Sequence, residues 1–293
     1  MKKIFLSLLA IAATTLGCNA QLLWEISGNG LQKPSYLFGT HHIAPLAVLD
    51  SVKGFNEALT SVDKVYGEMD MAKAQSPQSQ QVMLASAMAP QDSTLNLVLS
   101  QPQLDSLDVI IKKYMGPMGS AAQFAPMKPS MVSTVLALMV NQKVFPTFNP
   151  QQQLDGEIQK RAAAAGKEVC GFETIEEQCQ ALFGSPIIEQ AEELMEMVRD
   201  DDKASETALK LAKAYLSGDL NGMFEIMENS GESSSEAWKE RMHNKRNANW
   251  MRIMAGIIPT ASVLIAVGAG HLPGEKGLIN LLRENGFTVK PVE

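Results

Sequence analysis

Ser35-Tyr-Leu-Phe-Gly-Thr-His-His42 and, near the far end of the chain, Val263-Leu-Ile-Ala-Val-Gly-Ala-Gly-His271 are built on one pattern. A short apolar run leads into a G-x-x-H phrase, GTHH at Gly39–His42 and GAGH at Gly268–His271, and a segment with helical spacing follows. Each copy reads as strand, glycine turn, histidine and helix, in which the glycine permits a tight backbone path at the strand's carboxyl end. In parallel sheets, ligand sites assemble at that edge.

Around these phrases the same grammar continues. Leu22–Ile26 reads as a first strand, Gly28-Asn29-Gly30 as a turn, and Ser35–Phe38 as the returning strand, so the chain opens with a hairpin. Ser51–Leu59 then reads as a helix and Lys64–Met69 as a strand. A crossover of this kind makes its two strands parallel, so His42 and Glu68 are expected on one sheet edge. Gln153–Ala165 is helical with Gly166 as its C-cap, Lys167–Phe172 is a short strand, and Glu173 sits at that strand's end. After GAGH come a helix through Leu278, Leu281 and Leu282, then Asn285-Gly286 and a closing strand Phe287–Val292. The expected fold is α/β, with a mixed, largely parallel sheet built from two βαβ-like repeats that deliver His42, Glu68, Glu173 and His271 to one pocket.

Helical insertions at about 75–150 and 187–229 separate these units within a single domain spanning 21–293. The second insertion reads as two helices parted near Asp200-Asp-Asp202. Val132, Val135, Leu136 and Met139 have helical spacing, and the insertions are expected to cap the core. Met115, Met118, Met127 and Met131 fit either plain core packing or an adaptable apolar groove.

Residues 1–20 have the order of a secretory signal: Lys2 and Lys3, the apolar run Ile4–Ala13, then small residues. That run is too short for a membrane span, which needs about 20 apolar residues. The expected product is exported to the periplasm or cell envelope. Cys18-Asn19-Ala20 suits an ordinary signal peptidase, whereas Leu16-Gly17-Cys18 resembles a lipobox whose cysteine would carry a lipid anchor, with Thr15 at the usual leucine position. Without the signal, the net charge of -7 loses two lysines and becomes -9. An acidic chain lacks the basic footprint of a nucleic-acid surface. Cys170 and Cys179 remain, as an oxidised pair or as two buried thiols; no C-x-x-C occurs.

Two imidazoles and a carboxylate at a strand edge suit a divalent transition metal, since neutral histidine nitrogen and carboxylate oxygen bind zinc, cobalt, manganese or nickel and leave positions for water. His41 adjoins His42, but neighbouring side chains diverge on extended backbone. On the helix from Ser234, His243 shares a face with Arg246, Asn247 and Trp250. That face is either a solvated or packing surface, or one that sends Arg246 into the pocket as an anion clamp.

LFGTHH, VYGEMD, QLDGEIQKRAAAAGKEVCGFETIEEQ, the pair Arg246-Asn247 before Trp250, and IAVGAGHLPGEKGLINLLRENGFTV resemble the TraB/GumN/Tiki family throughout the mature chain. The resemblance implies an active site made of the paired histidines and the glutamate. It assigns metal or catalytic roles to His42, Glu68 and His271, and brings Arg246 and Asn247 in as site residues. It implies a protease-like hydrolase using manganese or cobalt, and a fold related to erythromycin esterase and to a haem-binding bacterial lipoprotein. Many members lack a histidine at the position of His41.

The function expected is therefore an exported metal-dependent hydrolase, most plainly a peptidase. Manganese, cobalt or zinc would be held by His42, Glu68 and His271, with Glu173 auxiliary. The alternative is a non-catalytic periplasmic binder of a peptide, a metal or a haem-like ligand. Intact-mass analysis of the protein recovered from cells should find a chain starting after Ala20, or at a lipidated Cys18; a retained Met1 would contradict export.

Overall fold

The computed structural model describes residues 22–149, 152–230 and 235–292. The signal segment and its cleavage sites lie outside the described residues. Six strands form one sheet: β1 (Leu23–Ser27), β2 (Ser35–Thr40), β3 (Lys64–Gly67), β4 (Glu168–Gly171), β5 (Val263–Gly268) and β6 (Thr288–Pro291), in the order β4-β3-β5-β2-β1-β6. The four strands β4, β3, β5 and β2 pair in parallel, while β1 runs antiparallel to both β2 and β6. The fold is thus α/β with a mixed, mostly parallel sheet and many helices.

Burial follows topology. In β5 every residue from Val263 to Val267 is buried, as a central strand with both faces covered requires. The opening hairpin turns through Gly28, Asn29 and Gly30, all at positive φ (77°, 49° and 78°), where glycine and asparagine are the least strained residues.

Strand order departs from simple adjacency. β2 and β3 are joined by a helical crossover yet do not pair; β5, from the other end of the chain, lies between them. β5 and β6 are likewise separated, by β2 and β1. The two G-x-x-H units therefore interdigitate, and the two phrases become neighbours, with Thr40 opposite Gly268. The first crossover helix is also broken, into Ala47–Ser51 and Phe55–Ser61, around Gly54 at φ 79°. Gly166 closes the helix Leu154–Ala164 with φ 73° and donates its N–H to Ala163.

The insertions do more than cover the sheet. Leu107, Ile111, Val132, Leu136, Leu194 and Val198 join in an apolar cluster of their own, separate from the sheet core that holds Phe38, Phe55, Leu264 and Trp250. The helices Gln101–Met115, Pro129–Val144 and Ile187–Arg199 thus bury most of their apolar faces against one another. The second insertion has three helices rather than two: Gly218 at φ 73° ends Asp201–Leu216, and Asp219 accepts the Gly222 N–H at 2.8 Å to start Leu220–Glu228.

Met127 and Met131 line a cavity of about 900 Å³ with Met69, Met71, Met83 and Met88. Met115 and Met118 are exposed elsewhere. Cys170 and Cys179 are both free thiols. No described helix is long and apolar enough to cross a membrane.

Because β5 carries partners on both sides and Ile265 is fully buried, Ile265→Ala should cost about 2–5 kcal/mol. The measurement is urea unfolding followed by circular dichroism, with the midpoint falling and the slope retained.

Candidate functional site

The adjacent parallel strands β3, β5 and β2 present their carboxyl ends side by side. Glu68 follows β3 directly, His42 lies two residues beyond β2, and His271 ends a single turn, Ala269–His271, after β5. Between them, the Gly268 N–H donates to Glu68 Oε1 at 2.8 Å. A Cβ on Gly268 would stand 3.0 Å from Glu68 Oε1, 3.6 Å from His271 Cδ2 and 3.9 Å from His42 Nε2. The three groups therefore converge over a bare glycine.

This corrects the conformational reading of the motif glycines. Gly268 has φ -50° and Gly39 is not among the positive-φ residues. Absence of bulk is what matters: a Cβ on Gly39 would come within 3.1 Å of the Ala269 side chain.

Arg246 is the hub of the cluster. Its Nη2 donates to Glu68 Oε2 at 2.7 Å and to Glu173 Oε2 at 2.9 Å, and its Nε to Glu173 Oε1 at 2.8 Å. Nη1 donates to the Met242 carbonyl at 3.0 Å and faces His271 Nε2 at 3.1 Å. Glu173 Oε1 also accepts from Trp250 Nε1 at 3.0 Å, and the guanidinium lies 4.9 Å from the Trp250 ring. Of the two sequence accounts of this helix face, the structure has the one in which Arg246 reaches the cluster.

Asn247 sets the state of His271. Its Nδ2 donates to the carbonyls of His271 (3.1 Å) and Lys276 (2.9 Å), which leaves Oδ1 to face His271 Nδ1 at 2.6 Å. Nδ1 therefore carries the proton and Nε2 presents a lone pair to Arg246. Burial lowers the His271 pKa well below its ordinary value, with His243, Arg246 and His42 adding to the effect against Glu68.

His42 is shifted in the opposite direction. Its Nδ1 lies 2.8 Å from Asp155 Oδ2, and Asp155 raises its pKa to about 9 against the cost of burial. The imidazole is 55% exposed, so water screens part of that pairing. Burial disfavours the charged form of Glu68, but Arg246, His42 and the Gly268 N–H outweigh it and hold the carboxyl well below the usual range. Glu68, Arg246 and His271 are each under a tenth exposed, so His42 is the solvent-facing member of the cluster.

Two neighbours were not legible as partners. Asp155 reads as an ordinary acidic residue in a helix's first turn, and Thr40 as a motif filler, yet Thr40 Oγ1 donates to Asp155 Oδ1 at 2.7 Å. His41 turns away from the cluster and packs against Phe145 and Tyr215. His243 stands edge-on to His271, 4.7 Å between ring centroids. It belongs to a π turn, Glu240–Asn244, inserted between the helices Glu236–Lys239 and Lys245–Ile257, a local irregularity frequent at functional sites.

The donor set suits a divalent metal, but its placement is not closed around one. Glu68 Oε1 and His271 Nε2 are 3.9 Å apart with Arg246 bonded to both residues. Among the described residues no group of three His, Cys, Asp or Glu side chains is arranged to hold an ion.

A model of the TraB/PrgY/GumN family matches residues 22–291, nearly the whole chain. The protein belongs to that family. The match takes in all six strands and every site residue discussed above. No curated protein and no solved structure matches the chain.

Arg246→Met should cost about 3–5 kcal/mol at neutral pH, because it leaves Glu68 and Glu173 buried as unpaired carboxylates. In the native protein the depressed Glu68 pKa stabilises above the ordinary carboxylate value of about 4.3 and is lost as pH falls below it. The gap between native and variant, measured by urea unfolding across pH, should therefore narrow on acidification.

Proposed function

We propose that this TraB/PrgY/GumN-family protein is an exported metal-dependent hydrolase acting on peptide bonds, its ion held by His42, Glu68 and His271. The observation that carries the reading is the convergence of the two imidazoles and the Glu68 carboxylate over Gly268. Both rings have Nδ1 engaged, by Asp155 and by Asn247, which is how metal-binding histidines are oriented to offer Nε2. Charge points the same way: Glu68, Asp155 and Glu173 outnumber the one guanidinium, and a bound cation would take the place of the proton that Asp155 favours on His42.

Manganese, cobalt or zinc would fit this nitrogen and oxygen set. When bound, such an ion polarises a carbonyl and makes its water nucleophilic near neutral pH. The chain's own residues supply the rest. Arg246 holds Glu68 ionised and places positive charge where negative charge develops during attack on a carbonyl. Glu173 and Trp250 hold Arg246, Asn247 holds His271, and His42 meets substrate first because it alone is open to solvent. Kinship with the erythromycin esterase fold belongs to the same proposal, as do periplasmic or envelope location and a lipid anchor at Cys18.

A second reading is a non-catalytic binder of a peptide, a metal or a haem-like ligand. It is favoured by one observation: Arg246 Nη1 already uses the His271 Nε2 lone pair. Metal analysis of the purified protein, with cleavage of a mixed peptide library in manganese, cobalt and zinc, separates the two. His42→Ala and His271→Ala should each lower turnover by more than the roughly 100-fold that follows loss of a supporting residue, whereas His41→Ala should retain most of it. Metal retained with no cleavage of any peptide would favour the binder. Unchanged metal content and cleavage in both alanine variants would end the hydrolase reading.

A further inference from the structure

We infer that Asp155, clamped by Thr40, is the positioning residue of His42, and that its negative charge tunes the cluster for a divalent cation. The inference deepens the metal-dependent reading and rests on it for the second clause only.

Asp155 is the second residue of the helix Leu154–Ala164, where an acid is ordinarily explained by the helix dipole. Here both of its oxygens are directed at the end of β2 and the turn after it, more than a hundred residues earlier in the chain. Oδ1 accepts from Thr40 Oγ1 at 2.7 Å and Oδ2 meets His42 Nδ1 at 2.8 Å. Asp155 is 8% exposed and Thr40 is 1% exposed. One tetrapeptide, Gly39–His42, therefore supplies both the hydroxyl that fixes the carboxylate and the imidazole that the carboxylate fixes. A carboxylate in this position accepts only, so in the neutral ring it selects the Nδ1–H form and leaves Nε2 as the free nitrogen. That nitrogen lies 3.9 Å from the Cβ position of Gly268, above which Glu68 Oε1 and His271 also gather.

The other G-x-x-H copy has a counterpart with different chemistry. Asn247 does for His271 what Asp155 does for His42, but as a neutral amide. Ring orientation needs only an acceptor, and the amide provides one. The carboxylate at His42 adds one negative charge and a more electron-rich imidazole, which are properties of a cation site.

The test uses the full mature chain and Asp155→Asn, Asp155→Ala and Thr40→Val. Cobalt(II) binding is followed by visible absorption and calorimetry, and the His42 tautomer by long-range proton–nitrogen NMR on the neutral ring. Asp155→Asn, which keeps an acceptor, should retain the Nδ1–H form yet weaken cobalt binding by about 10–100-fold. Asp155→Ala should lose both the affinity and the Nδ1–H form, and Thr40→Val should shift the tautomer partway. A structural role alone would lower stability without moving the ring proton. Wild-type cobalt affinity in Asp155→Asn overturns the charge clause, and an unchanged Nδ1–H signal in Asp155→Ala overturns the positioning clause. If the wild-type protein binds no cobalt, manganese or zinc, the metal reading and the charge clause fail together, and the NMR result still decides the role of Asp155.

Discussion

One guanidinium joins parts of this molecule that lie far apart along the chain. Arg246 bonds residues at the ends of β3 (Glu68) and β4 (Glu173), the turn after β5 (His271), and the preceding π turn (Met242). Each anion it meets is buried, so each needs the arginine, and the arginine needs them. A planar fork with five N–H groups can serve several acceptors at fixed angles, which a lysine cannot. The rest of the edge is organised around that requirement: Trp250 shares Glu173, and Phe172, Trp250 and Tyr66 stack beside it.

The two G-x-x-H phrases are alike in their place at the sheet edge and unlike in electrostatics. Both place a histidine just beyond a parallel strand, and both hold its Nδ1 with a side chain from a distant helix. His271 is buried, neutral and faced by Arg246, whereas His42 is half exposed and backed by a carboxylate. The repeated phrase therefore supplies a shared placement, and the helper residues Asp155 and Asn247 set each histidine's chemistry within it. Only the exposed histidine can meet a ligand without the core opening.

The helical insertions stand apart from this chemistry. The helices Gln101–Met115, Pro129–Val144 and Ile187–Arg199 share an apolar cluster of their own, whereas Asp201–Leu216 and Leu220–Glu228 join the sheet core through Ala212, Tyr215, Leu220 and Met223. What they contribute near the site is a methionine-lined cavity beside β3, with Met69 on its wall next to Glu68. Unbranched thioether side chains adapt to many apolar shapes.

Local pattern determined a good deal of this protein. Short apolar runs and glycine punctuation are properties of a few consecutive residues, so all six strands, the opening hairpin, Gly166 as a cap and the edge location of His42, Glu68, Glu173 and His271 were readable from the sequence. The family was readable too, from motifs spread along the mature chain. Strand order was not, because a crossover dictates the direction of the next strand and not its neighbour; β5 inserting between β2 and β3 is a matter of long-range packing. The break at Gly54 and the third helix of the second insertion also depend on what the segments pack against. Asp155 and Thr40 escaped notice for the same reason: an acid in a helix's first turn and a threonine at a strand end look alike whether or not a partner waits a hundred residues away. The choice between a solvated face and an arginine in the pocket was open in the sequence, since helical spacing defines a face without saying what it meets. Only the folded chain, by burying Glu68 and Glu173 with no other arginine or lysine paired to them among the described residues, decided that Arg246 must turn inward.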